Sequence, residues 1–331
     1  MQKGKSRKIS IIIPIIIVVF ALLGLVFWLN RTLIFDTFSA WAFHPSAEIA
    51  AIEDKISLTP HGELIFEATS PSLESRESFN ERCKSHNQDI SVLGCYTNNN
   101  IYIYNIQSAD LAGVIESTAA HELLHAAWKR LSGSEKTRLS KYITAVYEDE
   151  KYHNLLVEDL ETYSDFDRID ELHSRIGTEI AELPDELEKH YAKYFMNQDL
   201  VVDYYNNYIE PFRELADEIE QLSKQLAELD SEIETKTSEY HERSDSLAKQ
   251  IDEFNACVKT RGCFTTESQY NSTRNALLQS QSELEDMYTD LNDRINEYNS
   301  LVSEYNANVI RGEELEKEMN SNSKQETIIT N

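Results

Sequence analysis

Two histidines and a glutamate stand close together in ESTAAHELLHAAWKRL, residues 116–131. His121 and His125 are four residues apart, so on a helix both imidazoles project from the same face. Neutral imidazole is a common zinc ligand, and two of them on one face form half of a metal site. Glu122 is rotated from His121 by about 100°, so it can reach a water at the metal without binding the metal. The neighbouring residues are small or apolar, which predicts a buried helix. Buried histidines and a buried glutamate are costly unless they are ligated or paired, so the pattern predicts a metal site.

The H-E-x-x-H arrangement of His121, Glu122 and His125 resembles the catalytic helix of the zincin metallopeptidases. The resemblance covers residues 46–208. It implies a bound zinc ion, a water activated for peptide-bond hydrolysis, and Glu122 as the general base. In that family the substrate lies along a strand just before the catalytic helix. The stretch IYIYNI, residues 101–106, is therefore the expected substrate strand.

A catalytic zinc site needs a third protein ligand. The third histidine of the metzincin subgroup is missing from HELLHAAWKRLSG, so the resemblance implies the gluzincin arrangement, with a glutamate on a later helix. Glu171 is followed three residues later by Ser174, which is the local pattern of that ligand. Glu179 is the alternative ligand, and Glu148 and Glu158 are further candidates without the pattern. We expect Glu171 to complete the site.

The same resemblance implies a hydrogen-bond donor for the oxyanion that forms during hydrolysis. Tyrosine or histidine serves this purpose in related enzymes. Tyr163 and His173 lie close to Glu171 in the sequence, and both are candidate catalytic residues beside Glu122.

The elements around the motif follow from periodicity and turn signals. ELIFEA, residues 63–68, alternates as a strand does. SVLGCY, residues 91–96, and IYIYNI, residues 101–106, are predicted to form a hairpin joined by TNNN. The motif helix follows, and later two short helices broken near Gly177 and Pro184. Together these elements predict an α+β fold that is mostly helical and has a small β-sheet.

The N-terminal region contains an almost purely apolar segment, residues 9–29. A membrane-spanning helix needs about 20 such residues. Basic residues precede it within residues 1–8, which predicts a cytoplasmic N-terminus and an extracytoplasmic position for the bulk of the chain. The alternative is a cleavable signal peptide, but its apolar run would be about 7–15 residues and would end in small residues. Residues 30–45 are a juxtamembrane stretch or the start of the folded core.

The four cysteines fall into two close pairs on the predicted outer side of the membrane. Disulfides persist in that environment, which favours the bonds Cys83–Cys95 and Cys257–Cys263. Four cysteines allow three connectivities in all. A zinc site made of all four is the rival interpretation, and the lack of any C-x-x-C disfavours it.

From about Pro211 onward, apolar residues follow a seven-residue repeat on two arms separated by CVKTRGC. On the second arm, one row contains Leu277, Leu284, Leu291, Tyr298 and Tyr305, and a second row contains Tyr288, Ile295, Val302 and Val309. The pattern predicts an antiparallel coiled-coil hairpin over residues 209–309, followed by a polar tail over residues 310–331. The core face of a helical bundle is the alternative. We expect a hairpin of this kind to bind a partner protein or a second copy of the chain.

The formal net charge of −27 excludes nucleic acid as a partner of the bulk of the chain. The expected function is that of a membrane-anchored, extracytoplasmic zinc peptidase acting on a protein or peptide. The alternative is a structural or adhesive cell-envelope protein, in which the coiled coil is the functional part and the zincin-like domain does not catalyse. Glu122 favours the peptidase, because a purely structural zinc site has no use for a general base.

Overall fold

The computed structural model describes residues 5–84, 93–156, 160 and 165–321. Its elements in chain order are α1 (Lys5–Ala42), α2 (Ala47–Lys55), α3 (Pro60–Ala68), β1 (Ser72–Glu74), α4 (Arg76–Arg82), β2 (Gly94–Thr97), β3 (Asn100–Tyr104), α5 (Val114–Arg130), α6 (Gly133–Glu148), α7 (Glu150–Leu156), α8 (Asp165–Glu179), α9 (Asp185–Tyr191), α10 (Gln198–Lys259) and α11 (Glu267–Met319). This mostly helical fold, with a small sheet, an apolar N-terminal helix and two long C-terminal helices packed together, confirms the predicted fold class. The described chain divides into two compact units. One runs to Pro211 and resumes at Leu315, and the other is Phe212–Glu314.

The sheet has β3 at its centre, with β1 parallel on one side and β2 antiparallel on the other. β2 and β3 form the predicted hairpin. The two residues between them, Asn98 and Asn99, have φ angles of 49° and 63°. Asparagine tolerates this left-handed conformation, which the tight turn between two antiparallel strands requires. Ile101 and Ile103 of β3 are fully buried and join the sheet to the core.

The segment ELIFEA is helical, so the predicted strand over residues 63–68 is wrong. It belongs to α3, where Pro60 occupies the first turn and the Thr59 side chain accepts a hydrogen bond from the Gly62 backbone N–H. This cap and the proline fix the start of a helix. Alternation over six residues is too short a pattern to outweigh these signals.

Helix α5 is buried along most of its length and packs against the sheet, α3 and α8. Its neighbour α8 runs straight through Gly177, so the predicted break at that glycine is wrong. A Cβ on Gly177 would lie 2.4 Å from Leu124 Cδ1 of α5. The glycine therefore permits a close approach of the two helices rather than ending one of them. The break comes later, between α8 and α9, where Pro184 precedes Asp185.

Helix α1 continues without interruption from Lys5 to Ala42, through the stretch that was predicted to be juxtamembrane. Its part Val19–Ala42 is long and apolar enough to cross a membrane. The last turns of α1 pack against the unit that runs to Pro211, since Ala40 is buried. Asp36 accepts two hydrogen bonds of 2.8 Å from the Arg130 guanidinium at the end of α5. Residues near Asp36 thus belong to the folded core, which was the second of the two interpretations of this stretch.

Both predicted disulfides are present. The Cα atoms of Cys83 and Cys95 are 6.0 Å apart, and those of Cys257 and Cys263 are 5.4 Å apart. The rival four-cysteine zinc site is excluded, because sulfur atoms in disulfides carry no thiolate to bind a metal.

In the unit Phe212–Glu314, α10 and α11 pack side by side in opposite directions. Three polar pairs cross between them in antiparallel register: Glu218 with Asn308, Glu232 with Arg294, and Lys236 with Asp290. Leu291 of the first predicted row is buried, but Tyr288 and Ile295 of the second row are 54% and 37% exposed. Val302 and Val309 of the same row are half-buried, so the helix pair covers the second row only in part. Positions three residues after the first row, which include Arg294 and Asn308, contact α10.

Candidate metal centre

The two histidines of the motif lie one turn apart on α5, as their spacing requires. The Nε2 atoms of His121 and His125 are 3.1 Å apart. The ring centroids are 4.8 Å apart, and the ring planes meet at 74°. The side chains are 21% and 20% exposed, so both rings are reachable from solvent although the helix is largely buried.

Helix α8 brings a carboxylate to the two imidazoles. Glu171 Oε1 lies 3.6 Å from His121 Nε2, and Glu171 Oε2 lies 3.3 Å from His125 Nε2. The three residues form a group that could hold a metal ion. Two ligand atoms, each about 2.0–2.1 Å from a tetrahedral zinc ion, lie about 3.3 Å apart. The separations of 3.1, 3.3 and 3.6 Å are close to this value, with the last two ending on different oxygens of Glu171. One donor atom from each residue lies within 4.8 Å of the other two, so the group has the size that one small ion needs.

A second carboxylate, Asp170, orients one of the imidazoles. Asp170 Oδ1 lies 2.9 Å from His125 Nδ1, on the opposite side of the ring from Nε2. Lys129 Nζ lies 3.7 Å from the other oxygen, Asp170 Oδ2. A carboxylate in this position fixes the tautomer of a metal-binding histidine and increases its basicity. Asp170 is not among the predicted site residues, and its signal in the sequence is an acidic side chain directly before Glu171.

The charges in the group compensate one another. Burial lowers the pKa of His125, but hydrogen bonds with Asp170 and Glu171 outweigh burial and raise the pKa well above its ordinary value. Burial raises the pKa of Glu171, but the imidazoles of His121 and His125 outweigh burial and hold it well below its ordinary value. Without a metal, an anionic carboxylate therefore faces a cationic imidazole. A metal ion that binds here must displace a proton, which makes its affinity dependent on pH.

Glu122 lies between α5 and β2. A Cβ on Gly94 of β2 would be 2.8 Å from Glu122 Oε1 and 2.6 Å from Thr118 Cγ2. Glu122 is only 6% exposed, and its charge helps to raise the pKa of His125. The glycine thus leaves room for a carboxylate that is held beside the metal-binding group.

The other predicted glutamate ligands are not part of the group. Glu179 pairs with Arg175 at 3.0 Å, and the described cluster of metal-binding side chains contains Glu171. Glu148 is exposed at the end of α6. Glu158 lies outside the described residues.

Of the two candidate oxyanion donors, only His173 lies within the described residues. His173 is fully buried, with its Nε2 atom 2.8 Å from His190 Nε2 and its ring against Trp128. Burial lowers the pKa of His173 well below its ordinary value and lowers the pKa of His190 to about 4. The geometry gives no support to a catalytic His173, because a side chain without solvent exposure does not meet an incoming substrate. Tyr163 lies outside the described residues.

The expected substrate strand is also placed differently. IYIYNI contains β3, the central strand, whose backbone groups are already paired with β1 and β2. Residues 101–106 therefore offer no free edge to a substrate, and that expectation is wrong. Within the described sheet, β2 is the edge strand beside α5, and it carries Gly94 next to Glu122.

No protein-family model, curated protein or solved structure matches this chain. The zincin resemblance therefore rests on the motif and its surroundings, and the function must be argued from the chemistry of the site.

Proposed function

We propose that the chain is a membrane-anchored, extracytoplasmic zinc peptidase with His121, His125 and Glu171 as zinc ligands. The observation that carries the proposal is the geometry of these side chains. One donor atom from each lies within 4.8 Å of the other two at a partly solvent-exposed position, with Glu122 nearby on the same helix. Structural zinc sites are closed by four protein ligands, whereas catalytic sites have three and leave one position open.

Zinc is the metal that best explains all four residues. Two imidazoles and one carboxylate also bind non-haem iron in oxygenases, so the ligand set alone does not identify the metal. Hydrolysis requires a general base, which a carboxylate next to the ligands but outside them can supply. Glu122 is such a carboxylate, and it favours zinc-dependent hydrolysis over oxygen chemistry.

The residues of the chain have distinct tasks in this mechanism. Bound zinc lowers the pKa of water and polarises a carbonyl group. Glu122 accepts a proton from the attacking water and later delivers it to the leaving amine. Asp170 holds the His125 ring in the orientation that aims Nε2 at the metal.

A peptide in extended conformation is the substrate form that fits this site. An extended chain can pair with the free edge of a sheet, where backbone hydrogen bonds supply affinity. In the described structure this edge is β2, and Gly94 brings its backbone next to Glu122. We therefore expect the scissile bond to lie near Gly94 and the group His121, His125 and Glu171.

Helix α1 and the two disulfides support a membrane-anchored, extracytoplasmic location. The apolar helix α1 anchors the chain in a membrane, and the basic residues before it hold the N-terminus in the cytoplasm. The two disulfides fit an oxidising environment for the remainder of the chain.

Metal content and peptide cleavage test the proposal on the full-length chain purified in detergent. We expect one zinc per chain by mass spectrometry. The zinc should be lost in His121→Ala, weakened in Glu171→Gln and kept in Glu122→Gln. All three variants should fail to cleave a peptide library. Glu182→Gln is the matched control, because the Glu182 side chain is 84% exposed and pairs only with Lys151 among the described contacts.

Two outcomes would contradict the proposal. If iron and no zinc is found, the assignment of zinc is wrong. If zinc binds but no library member is cut, and Glu122→Gln matches the wild type in every respect, the structural or adhesive alternative is supported.

A further inference from the structure

Helix α11 carries a second heptad stripe that its partner helix covers only in part. The stripe comprises Tyr288, Asn292, Ile295, Asn299, Val302, Asn306 and Val309, spaced alternately by four and three residues. This is the spacing of a helix-to-helix seam. The seam with α10 lies beside it and uses Leu291, Arg294 and Asn308. We call the seven residues the uncharged stripe.

Much of the uncharged stripe faces solvent. Tyr288 is 54% exposed and Ile295 is 37% exposed, and Asn299 and Asn306 are exposed as well. Asn292, Val302 and Val309 are half-buried, and Tyr288 touches Tyr240 of α10 with ring centroids 6.0 Å apart, so one edge of the stripe meets the helix pair. An apolar row at regular spacing that remains exposed marks an interaction surface.

Between positions 286 and 310, the charges of α11 avoid this side of the helix, and Glu285 and Glu313 end the uncharged stretch of the stripe. Every charged residue between positions 286 and 310 lies elsewhere on the circumference: Asp286, Asp290, Asp293, Arg294, Glu297 and Glu304. The stripe and the positions that flank it on its outer side, including Thr289, Asn296 and Ser303, carry no charge. Such a segregation has no purpose on a helix that faces only water, where charges would be spread around the free surface.

We propose that the uncharged stripe binds the uncharged stripe of a second copy of this chain. The chain has a net charge of −27, so two copies repel each other over most of their surface. The stripe is a surface on which they can meet without bringing like charges together. The pairing buries Ile295, Val302 and Val309 between the two stripes.

The asparagines make the stripe self-complementary. A carboxamide both donates and accepts hydrogen bonds, so an asparagine can pair with the same asparagine of a second copy. Asparagine at core positions fixes the register of paired helices at some cost in stability. A two-fold axis makes each contact occur twice, as a self-complementary surface requires. Asn299 is at the centre of the stripe, eleven residues after Tyr288 and ten before Val309, so it lies near such an axis.

Disulfide crosslinking tests the contact in the full-length chain, in detergent or in membranes. Asn299→Cys should form a covalent dimer on mild oxidation. Ser300→Cys is the matched control, because Ser300 is exposed and points about 100° away from Asn299 around the same helix turn. We expect at least a tenfold difference in the dimer yield. Equal yields from the two variants would overturn the proposal.

Charge substitutions test the same surface without added cysteines. The wild-type chain should sediment as a dimer once the detergent is accounted for, and Ile295→Glu with Val302→Glu should halve its mass. Ser300→Glu with Ala307→Glu adds the same charge to exposed positions outside the stripe and should leave the dimer intact. Circular dichroism must show the same helix content in all three chains. A monomeric wild type, or a stripe variant with undiminished mass and unchanged helix content, would contradict the proposal.

Discussion

At the scale of single residues, Asp170 shows how the centre depends on a side chain that does not bind the metal. It lies 2.9 Å from His125 Nδ1, so it decides which nitrogen of that ring carries the proton. We expect Asp170→Ala to weaken zinc affinity by about 10–100-fold, as removal of such a partner does elsewhere. The measurement is a competition titration with a chelator. Lys129→Ala, which removes only the 3.7 Å contact to Asp170 Oδ2, should have a smaller effect. Equal losses would show that Asp170 acts through charge rather than orientation.

Gly94 is the second residue whose identity matters to the site. A methyl group in place of its hydrogen would lie 2.8 Å from Glu122 Oε1, so Gly94→Ala must push the carboxylate aside. We expect kcat to fall at least about tenfold, because a misplaced general base loses part of its contribution. Zinc content should not change, since Glu122 is not a ligand. Gly133→Ala is the control, because a Cβ there would have no neighbour within 4 Å. Retained activity in Gly94→Ala would remove Glu122 from the mechanism.

Much of the candidate site could be predicted from sequence, because the helix period alone fixes the relation of His121 and His125. Glu171 needed a local pattern as well, and the structure brings it to the histidines across 46 residues of chain. Asp170 could not be found in this way. Its role depends on how α8 packs against α5, and that packing depends in part on the close approach at Gly177. A residue whose importance arises from the packing of two helices leaves no periodic signal.

At the scale of elements, the same limit explains the errors in the predicted fold. The alternation in ELIFEA was outweighed by the cap at Thr59 and the proline at position 60. The second heptad row of α11 is a real pattern, but two of its members, Tyr288 and Ile295, are exposed rather than buried against α10. Positions three and four residues from a core position both lie beside it on a helix, and only the contacts of Arg294 and Asn308 show which of them faces α10.

The contact between α1 and α5 is the contact between elements whose effect on stability is easiest to test. Asp36 and Arg130 are 12% and 11% exposed and form a two-pronged ion pair. Removing one partner of a buried pair costs about 3–5 kcal/mol. We expect Asp36→Ala to lower the melting temperature of the full chain by about 6–12 °C. Lys151→Ala breaks the exposed pair with Glu182 and should lower the melting temperature far less. If Asp36→Ala lowers the melting temperature no more than Lys151→Ala does, the ion pair between Asp36 and Arg130 does not stabilise the contact between α1 and α5.

In the molecule as a whole, the apolar helix α1 is the element that would hold the proposed site at a membrane. Its side chains from Phe20 to Leu29 expose apolar surface, which water disfavours and a bilayer accepts. We expect the full chain to stay with membranes through washes with high salt and alkaline carbonate, and to dissolve only in detergent. Protease added outside intact cells should remove an epitope tag from the C-terminus. Replacing the basic residues before the span with glutamine should produce a mixture of orientations, since a basic excess on one side of a span favours a cytoplasmic position for that side. A mature chain that begins after residue 29 would instead identify a cleaved signal peptide, and the peptidase would then be a soluble secreted protein.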